Sequence, residues 1–502
     1  MKIRFLAIAL AMLTFALPAL AAVNATSVFR ARPSGNNLNG GGYDPGIAGA
    51  GTDYSQQNAA QTSGVAGTAT GTTTFSDAGA AFTAAMIGNS IWIASGAGFT
   101  SGLYFVTGFT SATQVTLDRS PGTGSAASWR LGGGWRDFWT NTAANIVPGN
   151  IVYVLGTGIP TTAGYATPDY TATTNFTSVS GSAAAGFVTY AADPLTPSYN
   201  GTTTGGMPLV SAPGLFFFNS SVLNVKLLWI FASNATVGGI LADIDRGYFD
   251  SLVIDQNGWN VNVVNAGLNG ETWVMINSEV FSSIAARGAT GAIVISSGQY
   301  GARLTWSNIH DCIGPAVSSV LTGVMIIDNN IIVKNNGNGI TVIDPQGVNF
   351  WSHITNNTID GNLGHGIAIS TQALGLQSVS ITGNIISNHI VAAKAGLTVL
   401  TGTTAVNDRI KQAINFNTYY NNTADVTAIS YGPNDVHGGS NPYAGQTTEN
   451  YAVTVANVAL GNPAFSQHLA GQTTGVQNNA VPGAVQPAQS AGSGGGVLIG
   501  GF

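Results

Sequence analysis

Between residues 220 and 400 the apolar positions fall in short Val- and Ile-rich runs, each closed by Asn or Gly. The runs lack the spacing of an amphipathic helix, so they read as strands. They also repeat. "NNIIVKNNGNGITVI" begins at Asn329, "NNTIDGNLGHGIAIS" at Asn356 and "GNIISNHIVAAKAGLTVL" at Gly383. Taking Asn330, Asn357 and Asn384 as equivalent gives 357−330 = 27 and 384−357 = 27 residues. "SNIHDCIGPAVSSV" sets Asn308 in the same role, 330−308 = 22 residues earlier, and "INSEVFSSI" adds Asn277. Two copies carry a Gly-Ile pair at the same distance from the Asn, Gly339-Ile340 and Gly366-Ile367.

Self-similarity at a period of roughly 20–50 residues marks a solenoid of stacked units. Built of strands, each rung pairs with its neighbours at the ~4.8 Å spacing of a sheet. The pattern therefore predicts an all-β chain whose body is a parallel β-helix. Ile332, Ile359 and Ile386 are expected to stack inside as one column. Asn308, Asn330, Asn357 and Asn384 are expected to form a structural ladder at a corner, with amides hydrogen-bonding from rung to rung. On that register His310 falls in the isoleucine column, and His389 aligns with Asn335 and Asn362. A β-sandwich with Asn-rich turns is the rival arrangement, but it has no reason to repeat at a fixed interval.

The flanks read differently. Residues 1–22 have a basic start (Lys2, Arg4), an apolar run and an Ala19-Leu20-Ala21 ending, which together describe a cleaved signal peptide. A retained anchor is the other reading, but the apolar stretch is short for spanning a bilayer. No later segment is long and apolar enough to cross a membrane. Residues 23–134 hold "SIWIAS" (90–95), "GLYFVTGF" (102–109) and "QVTLDRS" (114–120) between turn residues, and predict a small antiparallel β module of about three to five strands. The β-helix is assigned to 135–470, with "AINFNTYYNNTADVTAIS" as a last rung. Residues 471–502, rich in Gly, Gln, Ala and Ser, read as a low-complexity tail.

Composition narrows the function. Charged residues make up 7% of the chain and hydrophobic ones 44%, so the chain folds and is solvated by Asn, Thr and Ser. Fifteen basic against 21 acidic residues provide no basic patch for nucleic acid. The one cysteine, Cys312, rules out an intrachain disulfide. Its apolar neighbours describe a buried thiol rather than a nucleophile.

Residues 146–400 resemble the right-handed parallel β-helix proteins of the pectate-lyase-like superfamily. "IVPGNIVYVLGTG" (146–158) resembles the opening of many members, and "LGNPAF" (460–465) resembles the segment that often follows the last rung. Residues 23–134 also resemble modules that head β-helix proteins of environmental tailed phages. The superfamily resemblance implies a fold and not a reaction. Members that cleave polysaccharides use paired carboxylates, or calcium-bridging aspartates with a basic residue. "GHG" (364–366) and "RIK" (409–411) resemble two motifs of polygalacturonase-like hydrolases. The aspartates that accompany them in that family are missing, and His365 fills the repeat slot of Asn338.

Asp243, Asp245, Asp250 and Asp255 fall within "DIDRGYFDSLVID". As neighbours on one strand face, Asp243 and Asp245 are candidate calcium ligands. With Asp250 and Arg246 they are also the candidate catalytic set. A solvated turn between rungs, with Arg246 pairing an aspartate, explains the same residues without chemistry. Trp259 and Trp273 are candidate stacking platforms for sugar rings, or simply core. The expected function is therefore a secreted or cell-surface β-helix, structural or polysaccharide-binding, such as an adhesin or a phage-like appendage. A polysaccharide lyase or glycoside hydrolase is the alternative, and a homotrimeric fibre is a third arrangement.

Overall fold

The computed structural model describes residues 24–138, 145–156, 169–171, 181–182, 184–195, 208–212, 216–219, 223–226, 229–232, 240–243, 246–255, 264–266, 272–282, 292–295, 301–320, 324–344, 351–371, 378–401, 414–429, 432–438, 441–445 and 450–453. The expected signal peptide and tail lie outside these residues, as do "RIK" and "LGNPAF".

Three parallel sheets run along the solenoid, and each turn of the chain adds one strand to each. One rung consists of Val324–Asp328 in the first sheet, Ile331–Val333 in the second and Ile340–Asp344 in the third. The next repeats it with Trp351–Thr355, Thr358–Asp360 and Ile367–Thr371. Alternation places every second side chain inside. Ile332, Ile359 and Ile386 stack in register and are fully buried, as expected. Each contributes roughly 1.5–3 kcal/mol of apolar burial.

The corner between the first and second sheets needs one left-handed residue per rung. Asn329 (φ 61°), Asn356 (φ 59°) and Gly383 (φ 69°) supply it, two residue types that accept this region at low cost. The next residue begins the ladder. Asn330 donates its side-chain amide to Asn357 Oδ1 at 3.0 Å, Asn357 to Asn384 Oδ1 at 3.0 Å, and Asn384 to Asn417 Oδ1 at 3.0 Å. A second ladder links Asn335 to Asn362 at 2.8 Å, and His389 stands at its next rung, where its Nδ1 faces the Asn362 carbonyl at 3.2 Å.

One ladder assignment is corrected. Asn308 pairs with Glu279 and Ile331 and stands one residue past the corner. The slot belongs to Ser307, whose backbone N–H donates to Asn330 Oδ1 at 2.9 Å, and before it to Ser278 rather than Asn277. A hydroxyl serves there as an amide does further on. Ile309 consequently fills the isoleucine column, and His310 turns to the outer face beside Val333.

Tight stacking where the chain passes from the second sheet to the third leaves no room for a Cβ. One on Gly366 would stand 2.5 Å from the Gly396 carbonyl oxygen and 2.6 Å from Ile386 Cγ2. Gly366→Ala is expected to lower stability by about 2 kcal/mol. A urea-denaturation midpoint equal to that of the parent would refute this crowding.

The N-terminal module is a closed barrel of six antiparallel strands between Thr62 and Leu131, more than the sequence pattern predicts. The strands it hides are the short Thr74–Ser76, and Thr62–Thr70 and the first half of Gly122–Leu131, the last two made mostly of Gly, Ala, Ser and Thr. Bulges in both break the alternation that marks a strand. Trp129 fills the barrel and donates its indole N–H to buried Asp77 at 2.8 Å. The first sheet begins before the barrel: Val28–Ala31 pairs in parallel with Ile151–Val154, and Phe29 stacks on Trp135 at 5.1 Å. At the other end, Ile414–Asn415, Thr418–Tyr420 and Ala424–Thr427 form a further rung. Among the described residues no helix is long and apolar enough to cross a membrane.

Candidate functional site

Asp243, Asp250 and Asp255, close in sequence, fall on strands of three different sheets. Asp243 ends the strand Ile240–Asp243 of the third sheet, Asp250 ends Arg246–Asp250 of the first, and Asp255 ends Val253–Asp255 of the second. Each therefore marks the end of one of three consecutive strands that face three directions. Asp245 lies outside the described residues. Asp250 Oδ1 accepts hydrogen bonds from Ser251 Oγ at 2.9 Å and Asn277 Nδ2 at 3.1 Å. Arg246 shares its strand, four residues away. Trp273 stands in the first sheet in register with Gly247 and Ala302, and Trp259 lies outside the described residues. No group of three or more His, Cys, Asp or Glu able to hold a metal occurs among the described residues.

A different charged cluster does form, on the outer face of the second sheet. His310 is fully buried, with Nε2 3.0 Å from Glu279 Oε1 and Nδ1 2.8 Å from Asp311 Oδ2. Its ring lies parallel to that of Phe281, with centroids 5.6 Å apart. Burial alone would push the imidazole down. The hydrogen bonds to Asp311 and Glu279, with their charges, outweigh it and raise His310 to about 9. At neutral pH it is an imidazolium donating from both nitrogens, which suits it to hold two carboxylates together and not to accept a proton. The neighbouring Cys312 is buried, and burial pushes its thiol well up, so it is inert.

His365 of "GHG" is a structural residue. Its Nδ1 accepts the backbone N–H of Ala395 at 3.0 Å, and Asn338 Oδ1 accepts the His365 N–H at 2.8 Å. Burial, then the charge of Lys394, lowers its pKa. Burial also lowers that of His389.

The sheets differ in how they meet solvent. On the second, the outward positions Asp255, Phe281, His310, Val333, Asp360 and Ser387 are all buried. Part of the cover is the segment around Tyr443, which packs on Ile331, Val333 and Ile385 and shares a 2.8 Å hydrogen bond with Ser387 Oγ. On the third, outward Ser318, Thr341, Ala368 and Thr398 are buried as well. The first sheet is open. Its outward row Asn224, Tyr248, Val274, Arg303, Ile326, His353 and Ser380 is in register, and every member is partly or fully exposed.

The right-handed β-helix region family model matches residues 252–410, a stretch that holds several rungs of the three sheets and the ladder residues Asn330, Asn335, Asn357, Asn362 and Asn384. The fold is that of a right-handed parallel β-helix. Among solved structures, the β-helix is similar to pectate lyase Pel9A at 12% identity over 65% of this chain and 81% of that one, with a TM-score of 0.37. It is also similar to a periplasmic alginate epimerase at 12% identity over 59% of this chain and 78% of that one, with a TM-score of 0.24. No curated protein matches the β-helix in sequence.

Two features of the β-helix escaped the sequence pattern. The Glu279–His310 pair spans 310−279 = 31 residues, and only the register Val280 to Ile309 brings it together. The open row of the first sheet has no motif at all, because its members are unlike one another.

Proposed function

We propose that this β-helix binds a polysaccharide outside the cytoplasm, at or beyond the cell surface, and that the open face of the first sheet is where the polymer lies. The observation that carries this reading is the contrast between sheets. The outward row from Asp255 to Ser387 on the second sheet and that from Ser318 to Thr398 on the third are buried, whereas the first sheet's row from Asn224 to Ser380 is partly exposed and mixes an aromatic ring, aliphatic side chains and hydrogen-bonding groups. Such a mixture suits sugars, whose rings present C–H faces and rims of hydroxyls. An adhesin, a matrix component or a phage-like appendage would use such a face. The distribution of Asp243, Asp250 and Asp255 over three sheets favours binding over cleavage at that cluster.

The test is retention on immobilised pectic, alginate-type and neutral polymers, run with calcium or chelator, while unsaturated products and new reducing ends are followed. Retention without product supports the binding reading. Calcium-dependent product that disappears in Asp245→Ala would replace it with a lyase. Retention on none of the polymers would end it.

A further inference from the structure

The open row of the first sheet alternates. Tyr248, Arg303 and His353 occupy every second rung, and Val274 and Ile326 occupy the rungs between, all in direct register. Rungs are ~4.8 Å apart, so one polar or aromatic group recurs every ~10 Å and one aliphatic group lies midway. Five rungs span four steps, roughly 19 Å. An extended β-linked glycan with two-fold screw symmetry repeats every second sugar, at about this two-rung distance.

The charges on this face also select. Arg303 is half exposed, yet its Nε and one terminal nitrogen engage Asp328 at 3.2 and 2.9 Å. The positive charge is matched on the spot. Asp250 stands at the end of the Tyr248 strand, and the whole chain carries a formal charge of −6. Lys226 stands in register with Asp250, and Arg303, the one Lys or Arg of the row, is already paired with Asp328, so the row offers hydrogen bonds without unmatched positive charge, which disfavours polyanions.

We infer that the first sheet binds a neutral, extended, β-linked hexose polymer lying parallel to the solenoid axis, with two disaccharide repeats in register with the rungs. Alternate sugars rest their C–H faces on Val274 and Ile326. The hydroxyls between them meet Tyr248, the free edge of Arg303 and His353. No bond is made or broken. The inference rests on the polysaccharide-binding reading and specifies its polymer and residues.

Titration calorimetry with cello-oligosaccharides of increasing length tests it. Affinity is expected to rise up to the tetrasaccharide and then level off, since about four sugars fill the five rungs. Tyr248→Ala and His353→Ala are each expected to weaken cellohexaose binding about tenfold. Leu400→Ala, an exposed position of the third sheet, should leave it unchanged. Ile326→Ser, which keeps the backbone and removes the aliphatic step, should also weaken binding, and thermal melts of each variant separate lost binding from lost folding. Cellohexaose binding that is indifferent to Tyr248, Ile326 and His353, or a preference for polygalacturonate, overturns the inference and leaves polysaccharide binding standing. If no polymer is retained, the broader reading fails first.

Discussion

Asn357→Leu should destabilise the protein by about 4 kcal/mol, near the upper end for a single substitution. Leucine matches the amide in size, so the loss is one of hydrogen bonds rather than packing. Asn357 Oδ1 accepts from the backbone and the side chain of Asn330, both at 3.0 Å, and its Nδ2 donates to the Ile327 carbonyl at 2.8 Å and to Asn384 Oδ1 at 3.0 Å. The site is fully buried, so water cannot replace these partners, and each orphaned group costs roughly 1–3 kcal/mol. Stacked units are stabilised chiefly by their neighbours, so amide exchange should rise first in the strands beside the lost corner. Asn336→Ala, at an exposed position in the preceding rung, should change stability by no more than about 0.5 kcal/mol. Equal midpoints for Asn357→Leu and the parent in guanidinium would show that the ladder contributes little.

The second large effect is a loss of stability on the alkaline side that belongs to His310. Its folded pKa of about 9 lies above the ~6.5 of an unfolded histidine. The folded state therefore holds the proton more tightly, and this contribution is complete below pH ~6.5. It declines as pH rises through that value and is gone above pH ~9. The full span is at most about 3 kcal/mol, and less in practice, because Asp311 is half exposed and screened. Cys312, whose thiol is also raised by burial, adds a decline of the same sign at higher pH, so the comparison is best made with Cys312→Ala as background. Unfolding free energies measured from pH 6 to 9 should fall in that background; with His310→Phe added the fall should vanish, leaving only a small rise near pH ~6.5 from His365 and His389, whose buried imidazoles resist protonation. A fall that persists in the His310→Phe variant would assign the effect elsewhere.

What could be read from the sequence follows from what each residue does. Asn330, Asn357 and Asn384 were legible because each does the same job at the same distance, and the spacing exposes the rung. Asn308 misled because identity was taken for position. The rung before Asn330 is shorter, and its corner is served by Ser307, whose hydroxyl leaves no trace in an Asn pattern. The same one-residue slip placed His310 among the isoleucines, when it faces outward between two carboxylates. His365 was legible as the counterpart of Asn338, and the structure gives it that place. Asp243, Asp250 and Asp255 looked like a cluster because they are near in the chain. In a rung, however, residues a few positions apart lie on different sheets, and closeness in space comes from the next rung. The barrel strands rich in Gly and Ala were invisible for a simpler reason. Bulges interrupt their alternation, and small side chains carry little hydrophobic signal.

The pairing of Val28–Ala31 with Ile151–Val154 bears on how the chain acquires its shape during synthesis. The partners are 151−28 = 123 residues apart, and closing so long a loop in an unstructured chain is slow. The barrel between them is built of antiparallel neighbours and can form as soon as it is made. Its entry and exit are stitched together, with Gly40 and Gly41 donating to the carbonyls of Gly132 and Gly133 at 3.0 and 2.9 Å. Once it has formed, the distant strands start almost side by side, and the later rungs add to a finished edge in the order in which the ribosome releases them.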